Sequence, residues 1–231
     1  MADVIVYGFP VSTYVNIVRL VLTAKGVPFR FHDLEPDMGS ARHLALHPFN
    51  RVPVLEHDGF RLYETAAIAL YVDEAFEGPR LQPKAVRERA VMHRWMSALN
   101  AYYYPYIGYH LAHERLIYPP LGVEPDEKVV AAALPTIDVG LAVMEHELGG
   151  AEWLAGDHPT LADYFLLPVM NALSRTPEGQ ARLPARPAVA AWQARMQALP
   201  AAQTVAAMVA SHIGKPVEHA RAWVQHHRPK Y

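Results

Sequence analysis

An Asp-Gly pair, Asp58-Gly59, separates two short runs of strand-forming residues at 54–57 and 60–63. Because both residues tolerate the positive φ angles of a two-residue turn, this pattern predicts a β-hairpin. A helix is predicted to begin directly after the hairpin, near Glu64-Thr65, and to run to about Phe76. The hairpin therefore places two antiparallel strands and a helix close together along the chain.

The residues before the hairpin supply further elements of the same unit. Residues 3–7 and 27–34 have the short apolar or alternating pattern of strands, and residues 14–25 carry apolar side chains at helical spacing. Gly26 follows that helix at a position that favours glycine. A short helix is also expected near 40–46. The predicted order is β-α-β-α-β-β-α, which describes a compact α/β unit.

The pattern changes after residues 78–83, where Gly and Pro indicate a linker. Beyond it the sequence favours helices only, and Pro105 and Gly108 are expected to bend the first. The predicted helical segments are 84–117, 126–148, 161–174, 187–199, 202–212 and 216–227. We thus predict an α/β domain at 1–78, a linker at 79–86 and an all-α domain at 87–231.

Composition excludes several classes of function. The chain has no cysteine, so disulfide scaffolds, thiolate metal sites, Cys-x-x-Cys redox chemistry and cysteine nucleophiles are excluded. The formal net charge of −2 favours neither nucleic acid nor an anionic membrane as a partner. The first residues lack a secretory pattern and no run of about 18 apolar residues occurs. We expect a cytoplasmic protein without a membrane span.

Two dipeptides flank the predicted hairpin, Val52-Pro53 before it and Glu64-Thr65 after it. With residues 47–55 (HPFNRVPVL) and 64–68 (ETAAI), they resemble in order and spacing the thioredoxin-like half of the cytosolic glutathione transferases. Residues 156–164 (GDHPTLADY) are similar to the capping box of the helical half of that family, with Thr160 as the cap and Asp163 bonding back to it. The resemblance implies a mixed four-stranded sheet followed by an all-helical domain, and a homodimer.

The resemblance also implies how glutathione is held. The Val52-Pro53 bond is expected to be cis, which turns the backbone of Val52 toward the cysteinyl part of glutathione. The free N–H groups of the helix that begins at Thr65 suit the γ-glutamyl carboxylate, and Glu64 suits the ammonium group. Glutathione is thus a co-substrate, and no other cofactor and no metal site are expected.

Glutathione attacks as a thiolate, and a hydroxyl that donates a hydrogen bond to sulfur lowers the thiol pKa. The candidates for this hydroxyl are Ser12, Thr13 and Tyr14. The resemblance is to the serine-type relatives, that is, to phi-, theta- and zeta-like members of the kind found in bacteria. In these relatives the catalytic serine precedes a Gly by fourteen positions and often an Arg by seven. Ser12 has Gly26 and Arg19 at those distances. Since the tyrosine of tyrosine-type members would stand at Gly8, Tyr7 is assigned to the core.

The glycyl end of glutathione is the point at which this sequence departs from the family. Several serine-type relatives place His or Lys near positions 38–39 and Gln at 51, whereas this chain has Met38, Gly39 and Arg51. An Arg side chain can pair with the glycyl carboxylate, so Arg51 is the predicted contact. His43 and Arg42 are the open alternatives that could contribute to the same contact.

The electrophile site is expected on the first long helix, where Tyr and His residues are dense. Tyr104, Tyr109 and His113 are the candidates, although aromatic residues at helical spacing also occur in cores and dimer interfaces. An aromatic lining suits a small hydrophobic substrate. His110 and His113 could share a helix face, but no third metal ligand follows at a recognisable spacing.

The sequence therefore predicts a glutathione S-transferase that conjugates glutathione to a small apolar electrophile or reduces a peroxide. Because serine cannot form the mixed disulfides that cysteine-type relatives resolve, no thiol-transferase activity is expected. The alternative is a non-catalytic module of the same fold that binds glutathione or assembles with other proteins.

Overall fold

The computed structural model describes residues 3–212, which fall into two compact units. Residues 3–81 and 199–212 form the first unit, and residues 82–198 form the second. The helix predicted over 216–227 lies outside the described residues. The first unit contains β1 (Val4–Gly8), α1 (Thr13–Ala24), β2 (Arg30–Asp33), α2 (Ala41–Leu46), β3 (Val54–His57), β4 (Phe60–Tyr63), α3 (Thr65–Ala75) and α9 (Pro200–Ala210).

The sheet of the first unit has the order β2-β1-β3-β4, with β1 parallel to β2 and antiparallel to β3. The predicted hairpin is confirmed, since β3 and β4 pair in antiparallel fashion. Asp58 (φ 48°) and Gly59 (φ 83°) both have positive φ, as a tight turn of this kind requires. The predicted thioredoxin-like domain with a mixed four-stranded sheet is therefore confirmed.

Helix α1 packs closely against the end of β1. A Cβ atom on Gly8 would lie 2.3 Å from a methyl carbon of Val15, so only glycine allows this approach. The helix buries all eight residues from Val15 to Leu22, so it is covered on every side there, and it ends before Gly26, whose φ is 72°. This contact fixes the first turn of α1 beside the end of β1.

The last described helix, α9, packs on α1 in the first unit. The predicted helical domain at 87–231 includes residues 199–212, whereas the structure assigns these residues to the first unit, which contains the sheet. Ala201, Ala202 and Val205 are buried, and small side chains allow two helices to approach closely. Helical spacing in a sequence cannot show which partner a helix will choose.

The second unit consists of helices, which confirms the predicted all-helical domain. Its elements are α4 (Val86–Ala98), a π-helix (Leu99–Ile117), α5 (Glu127–Leu148), α6 (Leu161–Leu173), α7 (Pro177–Arg182), α8 (Pro187–Ala198) and short 3-10 turns. Helix α7 was not predicted. The capping box at the start of α6 is present as predicted, formed by Thr160 and Asp163.

The predicted bent helix over 84–117 is instead two helices with different winding. The α-helical ladder ends at Ala98, and the chain continues with hydrogen bonds to carbonyls five residues back, such as Tyr118 N–H to His113 at 2.9 Å. Pro105 lies inside the π-helix, and the Tyr104 ring lies against Gly108, 2.7 Å from where a Cβ would be.

Helix α5 is long and apolar enough, at 22 residues and a mean hydropathy of 1.4, to cross a membrane by length and composition alone. Residues along one face, from Val129 and Val130 to Leu148, are buried in the second unit. The helix contacts the π-helix and α8 there. A core helix of this kind passes the same test, so the pattern is weak evidence for a membrane span.

Candidate active site

The register of the sheet brings the three predicted binding elements of the first unit to one end. Tyr7 of β1 is opposite Val54 of β3, and Val54 is opposite Tyr63 of β4. The loop to Ser12 leaves β1 at this end, Val52-Pro53 enters β3 here, and Glu64-Thr65 follows β4 here. Neighbouring strands lie about 4.8 Å apart, so the ends of β1 and β4 are separated by about 10 Å.

Ser12 is the N-cap of α1 and is half-buried. Its Oγ accepts a hydrogen bond from the Val15 N–H at 3.5 Å. This bond uses a lone pair, so the hydroxyl hydrogen is still available as a donor. No acceptor for that hydrogen lies within bonding distance among residues 3–212. Thr13 and Tyr14, the alternatives, form the first turn of the helix and are also half-buried.

A buried arginine supports the loop that carries Ser12. Arg19 is 2% exposed, and its Nη1 donates to the Pro10 carbonyl at 3.1 Å and to Asn16 Oδ1 at 3.3 Å. Its guanidinium lies 3.7 Å from the centre of the Phe31 ring. Burial lowers the Arg19 pKa to about 10, which leaves it a cation at neutral pH. The sequence located this residue by spacing only and did not reveal its contacts.

The Val52-Pro53 peptide bond is cis, as the resemblance implied. Pro53 is buried, and Val52 packs against Leu34, Leu46 and Val54 on the α2 side of the sheet. Arg51 is exposed, and within residues 3–212 its side chain makes no hydrogen bond or ion pair. The predicted glycyl contact is therefore free to move toward a ligand.

Two buried histidines, His43 and His47, line this segment. The ring of His43 bonds to the Arg51 carbonyl and to the Gly39 N–H. His47 accepts the Phe49 N–H at 3.3 Å and lies against the Tyr63 ring, with centroids 4.6 Å apart. Burial lowers the pKa of His47, so its ring is neutral at neutral pH.

The start of α3 has the open geometry that an anion site requires. Glu64 occupies the N-cap position with φ 73° and ψ 112°, and its side chain makes no capping bond. The first N–H groups of α3 therefore lack the partner that a cap would supply. Thr65 is buried at the first position of the helix and Glu64 is exposed. Holding a non-glycine residue in this conformation costs about 1–3 kcal/mol of folding free energy. Such strained residues occur most often at functional sites.

Tyr7 lies on the other face of β1 from Gly8, because side chains alternate along a strand. It packs against the cluster of Leu34, Leu46 and Val54, and its ring centre is 5.3 Å from that of His32. Burial raises its pKa. Tyr7 thus faces α2, whereas Gly8 faces the start of α1.

In the second unit the three candidate electrophile contacts share one strip of the π-helix. Residues four or five apart lie on the same face of such a helix, which aligns Tyr104, Tyr109 and His113. The rings of Tyr109 and His113 are 4.8 Å apart, and all three residues are half-buried. Burial lowers the pKa of His113 to about 4, so the strip is uncharged at neutral pH. No cluster of three potential metal ligands occurs within residues 3–212.

Known proteins resemble this chain along most of its length. Two family models match it, "Glutathione S-transferase, N-terminal domain" over residues 6–80 and "Glutathione S-transferase, C-terminal domain" over residues 79–200. Glutathione S-transferase F6 of Arabidopsis thaliana is 31% identical over 210 residues, covering 89% of this chain and 100% of the relative. Glutathione S-transferase 3 of Zea mays is 34% identical over 216 residues, covering 90% and 96%.

Solved structures give the same result. Glutathione S-transferase III in its apo form has a TM-score of 0.82 at 32% identity, covering 90% of this chain and 97% of the other. Glutathione S-transferase I bound with lactoylglutathione has a TM-score of 0.81 at 28% identity, covering 89% and 99%. The two family models, the relatives and the solved structures all match glutathione S-transferases over both halves of the chain. The chain therefore belongs to the glutathione S-transferase family.

Proposed function

We propose that this protein conjugates glutathione to a small apolar electrophile as a serine-type enzyme of the phi-, theta- and zeta-like group. The observation that carries the proposal is the position of Ser12, Val52-cis-Pro53 and Glu64-Thr65 at one end of one sheet. The strand ends at that edge span about 10 Å, which matches the length of an extended tripeptide. The lactoylglutathione complex of a similar transferase supports glutathione as the ligand.

Each part of glutathione has a matching group. The γ-glutamyl carboxylate binds the N–H groups and the Thr65 hydroxyl at the start of α3, and Glu64 takes the ammonium group. The backbone of Val52 pairs with the cysteinyl part. The exposed guanidinium of Arg51 pairs with the glycyl carboxylate. These contacts place the sulfur toward the Ser12 loop.

Ser12 then activates the sulfur. A free thiol has a pKa near 8.5, so only a few per cent is ionised at neutral pH. The Ser12 O–H donates a hydrogen bond that favours the thiolate and lowers this pKa. The thiolate attacks the electrophilic carbon and forms a C–S bond, and an aryl halide then releases its halide ion. The same thiolate can reduce an organic peroxide: it takes the terminal oxygen as the O–O bond breaks and the alcohol leaves, and a second glutathione then converts the sulfenic acid into glutathione disulfide and water.

The electrophile in this proposal is small, hydrophobic and uncharged. The strip of Tyr104, Tyr109 and His113 supplies aromatic faces and, at neutral pH, no charge. Aromatic faces favour flat apolar groups over ions. We place this site in the second unit, within residues 87–198, which belong to the predicted helical domain.

The test measures conjugation of glutathione to chlorodinitrobenzene by the purified protein, with calorimetric titration of glutathione alongside. We expect saturable turnover above the uncatalysed rate and competitive inhibition by S-methylglutathione, whose sulfur cannot ionise. Binding of glutathione without turnover of this acceptor or of cumene hydroperoxide would support the non-catalytic module instead. The absence of a basic residue at Met38-Gly39 is the feature that favours that alternative.

We also propose that the protein is a cytoplasmic homodimer. Val139 and Val143, one turn apart on α5, are 64% and 43% exposed, and Tyr102 of the π-helix is 61% exposed. The two valines form an exposed apolar strip on one side of α5, which we take as the dimer face because such patches are commonly covered by a partner. Sedimentation should give a mass near twice 25.8 kDa, and cell fractionation tests the location.

Two matched variants test the dimer face. Val139→Glu should produce monomers at micromolar concentration, because it places a charge in an apolar contact. Val86→Glu is the control, since Val86 is 72% exposed on α4 and outside this face. Dimers that persist in Val139→Glu, or a monomeric parent protein, would place the contact elsewhere or remove it.

A further inference from the structure

His43 is completely buried although it belongs to a helix, α2, of only six residues. Its imidazole connects two segments that the sequence analysis linked to the glycyl end of glutathione. Nε2 lies 2.9 Å from the Arg51 carbonyl oxygen, and Nδ1 lies 3.4 Å from the Gly39 nitrogen. The Ser40 hydroxyl caps the same helix through the His43 N–H.

These partners determine which ring nitrogen carries the proton. A carbonyl oxygen can only accept, so Nε2 must donate to Arg51. A backbone N–H can only donate, so Nδ1 must accept from Gly39. His43 is therefore neutral, with its proton on Nε2, and both polar atoms of the buried ring are satisfied.

The segment that His43 holds also packs on α2 through Val52, which lies against Leu46. Asn50 has a positive φ of 54°, and its N–H bonds to the His47 carbonyl at 2.9 Å. The Arg51 side chain is exposed, and no hydrogen bond or ion pair of residues 3–212 fixes it. The packing of Val52 is apolar and does not orient the Arg51 peptide, whereas the bond from His43 holds the Arg51 carbonyl directly.

We infer that His43 is a positioning residue for glutathione binding. It fixes the backbone of Arg51 so that the guanidinium can reach the glycyl carboxylate, and in this way it offsets the missing basic residue at positions 38–39. The inference rests on the proposed glutathione site. His43 does not itself contact the ligand; it acts through Arg51.

Three substitutions separate this role from simple packing. His43→Phe fills the space but removes both hydrogen bonds. His43→Gln can restore a donor toward the Arg51 carbonyl, because its amide nitrogen reaches about as far as Nε2. His43→Asn can restore the contact with Gly39 but is too short to reach Arg51. Thermal unfolding of each variant shows how much stability it retains.

The readout is the KM for glutathione compared with that for γ-glutamylcysteine, which lacks the glycine. We expect His43→Phe and His43→Asn to raise the KM for glutathione about tenfold, the free-energy equivalent of one lost hydrogen bond, with kcat nearly unchanged. His43→Gln should keep the KM close to that of the parent. The KM for γ-glutamylcysteine should change less than about twofold in all three.

Several results would overturn the inference. Equal penalties for the two thiols would show that His43 does not act at the glycyl end. Rescue by His43→Asn rather than His43→Gln would assign the effect to Gly39. A parent protein that binds neither thiol would instead contradict the proposed function itself. If His43→Phe does not fold, the comparison between the Gln and Asn variants still decides between the outcomes.

Discussion

Replacing Ser12 with alanine should lower kcat/KM for glutathione conjugation about 100-fold at neutral pH. The loss corresponds to one hydrogen bond to a charged sulfur, worth about 1.5–3 kcal/mol. The Ser12 hydroxyl hydrogen has no acceptor within bonding distance among residues 3–212, so its role as a donor to a ligand conflicts with no internal bond. The KM for glutathione should change little, because the contacts to its two ends stay intact.

The pH dependence of the same variant identifies the cause. Without the hydrogen bond the thiolate is less stable. The pKa of the bound thiol should therefore rise by about two units, to or above the pKa of a free thiol. The rate of Ser12→Ala should then recover as the pH is raised. Ultraviolet absorbance of the bound thiolate, measured across a pH titration, gives this pKa directly.

Controls separate activation from helix capping. Ser12 also caps α1, and alanine at an N-cap costs about 1 kcal/mol of stability, whereas glycine costs a few tenths. Ser12→Gly and Ser12→Ala should therefore lose activity equally while differing in stability. Thr13→Val and Tyr14→Phe should retain activity within about threefold. An unchanged thiol pKa in Ser12→Ala would transfer the role to Thr13 or Tyr14.

Features fixed by local chemistry could be read from the sequence. The hairpin depends on the positive φ angles of Asp58 and Gly59, and the start of α6 depends on the Thr160 and Asp163 pair. The start of α1 follows from the same kind of signal, since Ser12 caps it, whereas Glu64 makes no capping bond at the start of α3. The register of β1, β3 and β4 then brings the predicted binding residues to the same end of the sheet.

Features that depend on contacts distant in sequence could not be read in this way. Nothing in the local pattern around His43 shows that its ring reaches Arg51, and Arg19 resembles any charged residue in a helix. Helix α9 packs on α1 because small residues fit there, which spacing alone does not reveal. In the segment 99–117 the apolar and aromatic residues are too dense for their spacing to distinguish α from π winding.

Asp163→Ala should lower the free energy of unfolding more than any other substitution proposed for this protein. The Asp163 side chain belongs to a local capping motif but also bonds to residues distant in sequence. One carboxylate oxygen accepts from the Thr160 N–H at 2.8 Å and its hydroxyl at 3.0 Å. The other accepts from the Leu154 N–H at 2.9 Å and the Trp192 indole N–H at 2.8 Å. The sequence predicted only the bond to the cap backbone, and the structure adds a connection from α6 to α8.

The alanine variant should lose about 4 kcal/mol of unfolding free energy. Asp163 is completely buried, so its removal leaves four buried donor groups without this acceptor and also creates a cavity. For a chain of this size the loss corresponds to a fall of roughly 10 °C in the unfolding midpoint. Urea unfolding followed by tryptophan fluorescence measures the effect.

Two matched variants distinguish the network from a general loss of charge or capping. Asp157→Ala removes a carboxylate whose side chain is 98% exposed, so its stability should change by less than about 0.5 kcal/mol. Thr160→Val removes one member of the cap and should cost about 1 kcal/mol. If Asp163→Ala costs no more than Thr160→Val, the bonds to Leu154 and Trp192 contribute nothing measurable. A clear gap between these two variants, with Asp157→Ala unchanged, would show that a single carboxylate holds the start of α6, the preceding loop and α8 together.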